Sequence, residues 1–294
     1  MNTHNDISTV IWDADNTIWS WMEFAVPAYE AMCQTIAGIA GRSFEESAAA
    51  MKVFYSARAT LEDEGLIQGL RADGFFDHVA DFDQERVIHE AQRVFSAVRR
   101  QRLRVYPGIG ETIQYIHERG IRQVIVTDAP ARQARARLRH SGISSSIEKV
   151  FTMPSAVIPD LPHAFQNPEL GLYELAHSVL EDEKPNTNLE HILKLTREAI
   201  AREVVIIGDN LAKDMALAEA YGCRGIHAAY GVAHPDLVAR IQQFAPARVT
   251  NRNTQSPGNL PLMEGQPRDF GARMQTARSP SDILDLLFSI SALG

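Results

Sequence analysis

Two carboxylates stand two residues apart at the end of an apolar run near the N-terminus, in Val10-Ile11-Trp12-Asp13-Ala14-Asp15-Asn16-Thr17. Strand side chains alternate faces with period two, so Asp13 and Asp15 can both point into one crevice where the strand leaves its sheet. Such a pair suits aspartyl-phosphate chemistry. One carboxylate attacks phosphorus, while the other donates and later recovers the proton of the leaving oxygen. Solvated turns at strand ends use the same spacing, so the rest of the chain must decide.

Three later segments supply the remaining residue types that phosphoryl transfer uses. After Val124-Ile125-Val126, the Thr127 hydroxyl and the backbone N–H groups that follow, beginning at Asp128, can hold a phosphate oxygen at the start of a helix expected over residues 131–140. Glu183-Lys184-Pro185 offers an ammonium to neutralise a carboxylate–phosphate pair. The run Val204-Val205-Ile206-Ile207-Gly208-Asp209-Asn210 ends in a carboxylate, and Asp214 follows five residues after Asp209. These are hard oxygen ligands. Mg²⁺ binds through a few carboxylates and keeps waters and phosphate oxygens, a demand that Asp13 and Asp209 meet.

Taken in order, Asp-x-Asp-x-Thr, strand–Thr, Lys-Pro and Gly-Asp-x₄-Asp resemble the haloacid dehalogenase superfamily, specifically its phosphatase-like members with a helical cap inserted after the first motif. The resemblance implies that Asp13 is the nucleophile and Asp15 the general acid/base, with Thr127 and Lys184 holding the phosphate. It also implies that Asp209 ligates Mg²⁺, that Asp214 supports the metal shell, and that the Asp15 backbone carbonyl is a further ligand. The match covers residues 9–18, 105–142, 184–185 and 203–235. Two positions depart from the pattern. Many members carry Gly where Asn16 stands, and Asn tolerates the positive φ such a turn requires. Lys184 lies 57 residues beyond Thr127, which places an insertion between them. Lys149 is nearer, but it precedes Val150-Phe151-Thr152 and is expected to start a strand.

The expected activity is Mg²⁺-dependent hydrolysis of small phosphorylated metabolites. The alternatives are a 2-haloacid dehalogenase, which attacks carbon with the same first carboxylate and needs neither Mg²⁺ nor the second aspartate, a phosphonate hydrolase or phosphomutase, and a non-catalytic protein that binds phosphate or a partner on the same fold.

Strands alternating with helices predict an α/β fold, a doubly wound parallel sheet of Rossmann-like type built from residues 1–18 and 105–294. Between them, residues 28–39, 44–61 and 85–99 are rich in helix formers, and residues 19–104 are expected to form an inserted α-helical cap. Residues 151–183, with four prolines, read as an ordered loop turning into a helix. Residues 249–276 read as an extended surface segment, followed by a helix start at Pro280-Ser281-Asp282 with an apolar face from Ile283 to Ile290. Gly108-Ile109-Gly110 lacks a third placed glycine and reads as a turn before a helix.

With 294 residues and 45% hydrophobic content the chain can bury a sizeable core. A net charge of −8 argues against nucleic acid or an anionic membrane as partner. No apolar run is long enough to span a bilayer and no signal-peptide layout opens the chain, so the expected location is cytoplasmic. Cys33 and Cys223 are too few and too far apart for a disulfide framework. Arg132, Arg135 and Arg139 on one helix face, and the cluster Arg99, Arg100, Arg102 and Arg104, are expected to be solvated. Trp19 and Trp21 are expected to pack in the core, with a pocket-lining role as the alternative.

Overall fold

Thr9–Trp12 is buried at every residue, so it needs hydrogen-bonding neighbours on both edges and covered faces. The computed structural model provides both. It describes residues 7–63, 65–80, 83–155, 176–245 and 273–288. In chain order the strands are β1 (Thr9–Trp12), β2 (Arg122–Pro130), β3 (Lys149–Met153), β4 (Ala176–Val179), β5 (Val204–Gly208), β6 (Arg224–Ala228) and β7 (Met274–Ala277). Across the sheet they run β4-β3-β2-β1-β5-β6-β7, and every pair is parallel. The fold is thus the expected α/β parallel sheet.

The strand order reverses at β1, because the chain first builds β2, β3 and β4 on one side and then returns to add β5 on the other. Ligands of open parallel sheets bind at such a switch point, beyond the strand carboxyl ends. Register makes the same point by residue. Trp12 pairs with Ile125 and with Ile207, so Asp13, Thr127 and Asp209 all lie one or two residues past paired positions. The Asp13 N–H still donates to the Ile207 carbonyl at 2.8 Å.

Alternation along β1 divides the core: Val10 and Trp12 join one apolar cluster, while Ile11 joins the other with Val124, Val126, Ile206 and Leu217. The first cluster runs without a break into the helices between β1 and β2. These are α1 (Trp21–Ala40), α2 (Phe44–Arg58), α3 (Leu66–Ala72) and α4 (Gln84–Arg102). Their ends follow local chemistry: Ser20 caps α1 and Gly41 ends it in the left-handed region, while Ser43 and Glu46 form a reciprocal capping box on α2. No strand lies between β1 and β2 among the described residues. The helix expected over 44–61 ends at Arg58, with Ala59 at φ 53° turning the chain into a loop of residues 59–63.

Three expectations need correction. The 151–183 stretch contributes the end of β3 and the edge strand β4 rather than loop and helix alone; residues 156–175 lie outside the described residues. Residues 274–276, the end of the expected surface segment, belong to the other edge strand β7, while 249–272 are outside the described residues. Both edge strands are four residues long and half-exposed, so neither carries the apolar run that marks a central strand. Arg99, expected in solvent, is buried and donates to Gln133 at 3.1 Å. The C-terminal helix Asp282–Phe288 does bury Ile283 and Leu287, and Ile290 lies beyond the described residues. No described helix is long and apolar enough to cross a membrane.

The turn after β1 is fixed from two sides. Asn16 adopts φ 63°, the conformation its residue type was expected to tolerate, and its Oδ1 accepts the Trp21 N–H at 3.1 Å. Gly231 packs so close that an added Cβ would lie 1.9 Å from the Asn16 carbonyl oxygen. Gly231→Ala should therefore force backbone apart and lower stability by about 1–3 kcal/mol in urea unfolding. An unchanged midpoint would show that residues 229–231 do not brace this turn.

Candidate active site

Asp13 leaves β1 buried, with 7% of the residue exposed. Its Oδ1 lies 2.5 Å from Lys184 Nζ, and the same ammonium lies 2.5 Å from Asp214 Oδ1. Asp13, Asp209 and Asp214 each offer an oxygen within 4.8 Å of the others. The Asp15 side chain is not in that group; it turns to Trp19 Nε1 at 2.6 Å and Arg137 Nη1 at 2.5 Å. Thr127 and Asp128 line the same cavity of about 230 Å³, and the Thr127 hydroxyl accepts the Ala129 N–H at 3.2 Å.

Asp214 returns to Asp209 through a wide turn. After β5 the backbone makes one π-type turn over Leu211–Met215, and Asn210 caps it by accepting the Ala212 and Lys213 N–H groups. Asp214 Oδ2 in turn accepts the Asn210 N–H at 3.1 Å. The carboxylate folds back over Gly208, where a Cβ would sit 2.3 Å from Asp214 Cγ. Glycine is required there for the Gly-Asp-x₄-Asp segment to close.

Residues 7–222 match the family described as haloacid dehalogenase-like hydrolase. The chain belongs to the haloacid dehalogenase-like hydrolases. Among solved structures it is similar to a haloacid dehalogenase-like family hydrolase from Xanthomonas campestris, at 14% identity and a TM-score of 0.50, covering 99% of this chain and 95% of that one. It is similarly related to a 2-haloacid dehalogenase from Pseudomonas syringae pv. Tomato, at 15% identity and a TM-score of 0.51, covering 96% of this chain and 98% of that one. These likenesses speak for the fold. No curated protein matches the chain.

In this haloacid dehalogenase-like hydrolase the insertion before Lys184 is bridged by a side chain. Asp128 Oδ1 accepts the Lys184 backbone N–H at 3.0 Å, and its Oδ2 lies 2.6 Å from Lys213 Nζ. Burial opposes the Asp128 charge, but Lys184 and Lys213 overcome it and hold the carboxyl below its ordinary value. The Asp128 carboxylate thus positions a lysine, and any contact of this residue with a phosphate falls to its backbone. Lys149 starts β3, as expected.

The electrostatics are those of an acidic cluster only partly compensated by Lys184. Burial pushes the Asp13 carboxyl up to about 7 against the pull of Lys184. Burial, then Asp13 and Asp214, raise Asp209 well above its ordinary value. Burial works against the Lys184 ammonium too, but Asp13, Asp214 and Asp128 outweigh it and raise that group. Three carboxylates and one ammonium leave two formal negative charges, so the donor set fits a divalent cation with a preference for oxygen. His227 Nε2, 3.0 Å from the Asp209 carbonyl oxygen, steadies that strand end.

The sequence reading missed Arg137 and Glu62. Arg137 is buried and bridges Asp15 and Glu62 with two different guanidinium nitrogens. The signal was present in the helix Ala131–Leu138: Ala131, Ala134 and Leu138 mark its buried face, and Arg137 lies on that face, opposite the partly exposed Arg132 and Arg135. Trp19 and Trp21 are both buried as expected, and both indole N–H groups end on carboxylates, Asp15 and Glu62.

A raised Asp13 carboxyl makes the metal-free fold bind more protons than the unfolded chain between the ordinary value of 3.8 and about 7, so this group's contribution to stability falls as pH rises through that window. Mg²⁺ should reverse the loss. Its stabilisation, about 2.7 kcal/mol at a hundredfold excess over Kd, should be full at pH 8 and fade as protons compete below about 7. Thermal melts with and without Mg²⁺ at each pH measure this, and a melting temperature indifferent to Mg²⁺ at pH 8 would remove the metal from the site.

Proposed function

We propose that this hydrolase is a Mg²⁺-dependent phosphatase of small phosphorylated metabolites, acting in the cytoplasm through an aspartyl-phosphate on Asp13, without a nucleic-acid or membrane partner. The observation that carries the reading is the acidic triad with its two formal negative charges beside a buried lysine. A bound Mg²⁺ would be held by Asp13 and Asp209, with Asp214 and the Asp15 carbonyl in support, and would neutralise charge on the phosphoryl oxygens.

The chain's own groups would then divide the work. Asp13 attacks phosphorus in line while Lys184 and Thr127 hold the non-bridging oxygens. Asp15 protonates the departing alkoxide, then deprotonates the water that hydrolyses the acyl phosphate. Burial, opposed by Arg137, lifts the Asp15 carboxyl to about 7, a value suited to both giving and taking a proton near neutrality. Residues 19–104 serve as a cap whose residues 59–62 line the cavity, where they would exclude water during transfer.

The rival is a 2-haloacid dehalogenase, the activity named for the Pseudomonas syringae relative. Such chemistry requires neither the metal nor the second aspartate, so Asp209 and Asp15 favour the phosphatase. Turnover of an aryl phosphate should cease in excess chelator and return with Mg²⁺. Asp13→Asn should abolish turnover and any trapped phosphoryl-enzyme. Asp15→Asn should slow alkyl phosphates by about 10²–10⁴-fold and aryl phosphates far less, because a phenolate departs with little protonation. Chelator-resistant turnover, or chloride release from a 2-haloacid without phosphate release from any ester, would overturn the assignment.

A further inference from the structure

Both oxygens of Asp15 are held by donors that no phosphoryl-transfer role accounts for. Oδ1 accepts from Trp19 Nε1 at 2.6 Å and Oδ2 from Arg137 Nη1 at 2.5 Å. A carboxylate has about four lone-pair positions, so each oxygen keeps one for chemistry while the plane of the group is fixed. The second terminal nitrogen of Arg137 donates to Glu62 Oε1, which also accepts Trp21 Nε1 at 3.0 Å. A guanidinium fork suits this double duty, since its nitrogens are rigidly spaced.

Glu62 lies on the 59–63 loop, of which residues 59–62 line the cavity. The loop is tied down on both sides. The Tyr29 hydroxyl donates to the Leu61 carbonyl, Arg58 pairs with Asp63 at 3.2 Å, and the Glu62 N–H donates to Thr60 Oγ1 at 3.1 Å. Arg137 belongs to the helix that follows β2, so the Glu62–Arg137–Asp15 chain runs from the helical segment, through the sheet side, to Asp15, three residues past the end of β1. Stability alone is a poor reason for it. Replacing a buried ion-pair network by apolar residues of similar volume is often neutral or stabilising.

We propose that Arg137 and Glu62 are positioning residues for proton transfer by Asp15, coupling the placement of the 59–63 loop over the mouth to the orientation of the acid. This rests on the phosphatase reading. The coupling gives the 59–63 loop a direct effect on chemistry: Glu62 holds one arm of the fork while the other arm holds Asp15, so loss of the Glu62 contact would leave Arg137 less firmly placed on Asp15.

The test compares an aryl and an alkyl phosphate in wild type, Glu62→Gln, Arg137→Lys, Arg137→Met and Asp15→Asn, each checked for a cooperative melt. Glu62→Gln and Arg137→Met should lower kcat for the alkyl ester by about tenfold or more, with KM little changed, and spare the aryl ester, since the loss belongs to general acid catalysis. Arg137→Lys keeps the charge without the fork and should recover only part of the rate. On an Asp15→Asn background, Glu62→Gln should cause no further loss, because the group it orients is gone. If Arg137→Met does not fold, the Glu62→Gln pair of measurements decides alone, as it preserves shape and leaves Arg137 in place. Equal slowing of both esters, or full additivity with Asp15→Asn, overturns the positioning role and leaves the phosphatase standing. Absence of phosphate release by wild type overturns the phosphatase reading and this role with it.

Discussion

The Lys184 ammonium is the counter-charge on which the rest of the site depends. Asp13, Asp209 and Asp214 crowd the carboxyl ends of two neighbouring strands, and unit charges about 4 Å apart at an effective dielectric near 20 interact by about 4 kcal/mol. Three such carboxylates cannot share a buried space unaided. Lys184 touches two of them at 2.5 Å, which makes assembly possible, but one positive charge cannot neutralise three. The residual charge is what makes the cluster's donor set fit a divalent cation, and it follows from the arrangement of the strands rather than from any one residue.

Lys184 reaches that place although its sequence position gives no guarantee of it. The backbone N–H bond to Asp128 pins it beside the end of β2, and Lys213 holds Asp128 from the other side at 2.6 Å. A long insertion after β3 can therefore vary without moving the ammonium, because the last contact is local to the site. Gly208 and Gly231 play the complementary part by letting a carboxylate and a turn come closer than any Cβ would permit.

Much of this was legible in the chain because the chemistry is written at strand ends, where an apolar run and a polar residue stand side by side. Asp13, Thr127 and Asp209 were found that way, as was the tolerance of Asn16 for positive φ. The parallel sheet followed from the alternation of strands and helices. The edge strands β4 and β7 were not legible, since an edge strand needs neither a buried face nor a β-branched run. Arg137 escaped for another reason: arginine counts as solvated by default, and only the partner carboxylates, 75 and 122 residues away, explain its burial. Helical spacing put Arg137 on the inner face. What it would meet there was not in the spacing.

Asp13 and Asp15 illustrate how two identical side chains, two residues apart and facing one crevice, acquire separate environments. Burial lifts both to about 7, so burial does not distinguish them. Their partners do. Asp13 is paired with Lys184 inside an acidic cluster fit for a divalent cation, whereas Asp15 is paired with Arg137 and faces the carboxylate of Glu62 across that guanidinium. Positive charge added at the triad acts first on Asp13, which belongs to it, and less on Asp15, which does not. Under the proposed mechanism a bound cation would drive the two ionisations apart, in the direction that a nucleophile and a general acid require. The period-two spacing brings the pair to one place, and the separate cations supplied by distant parts of the chain make the pair unequal.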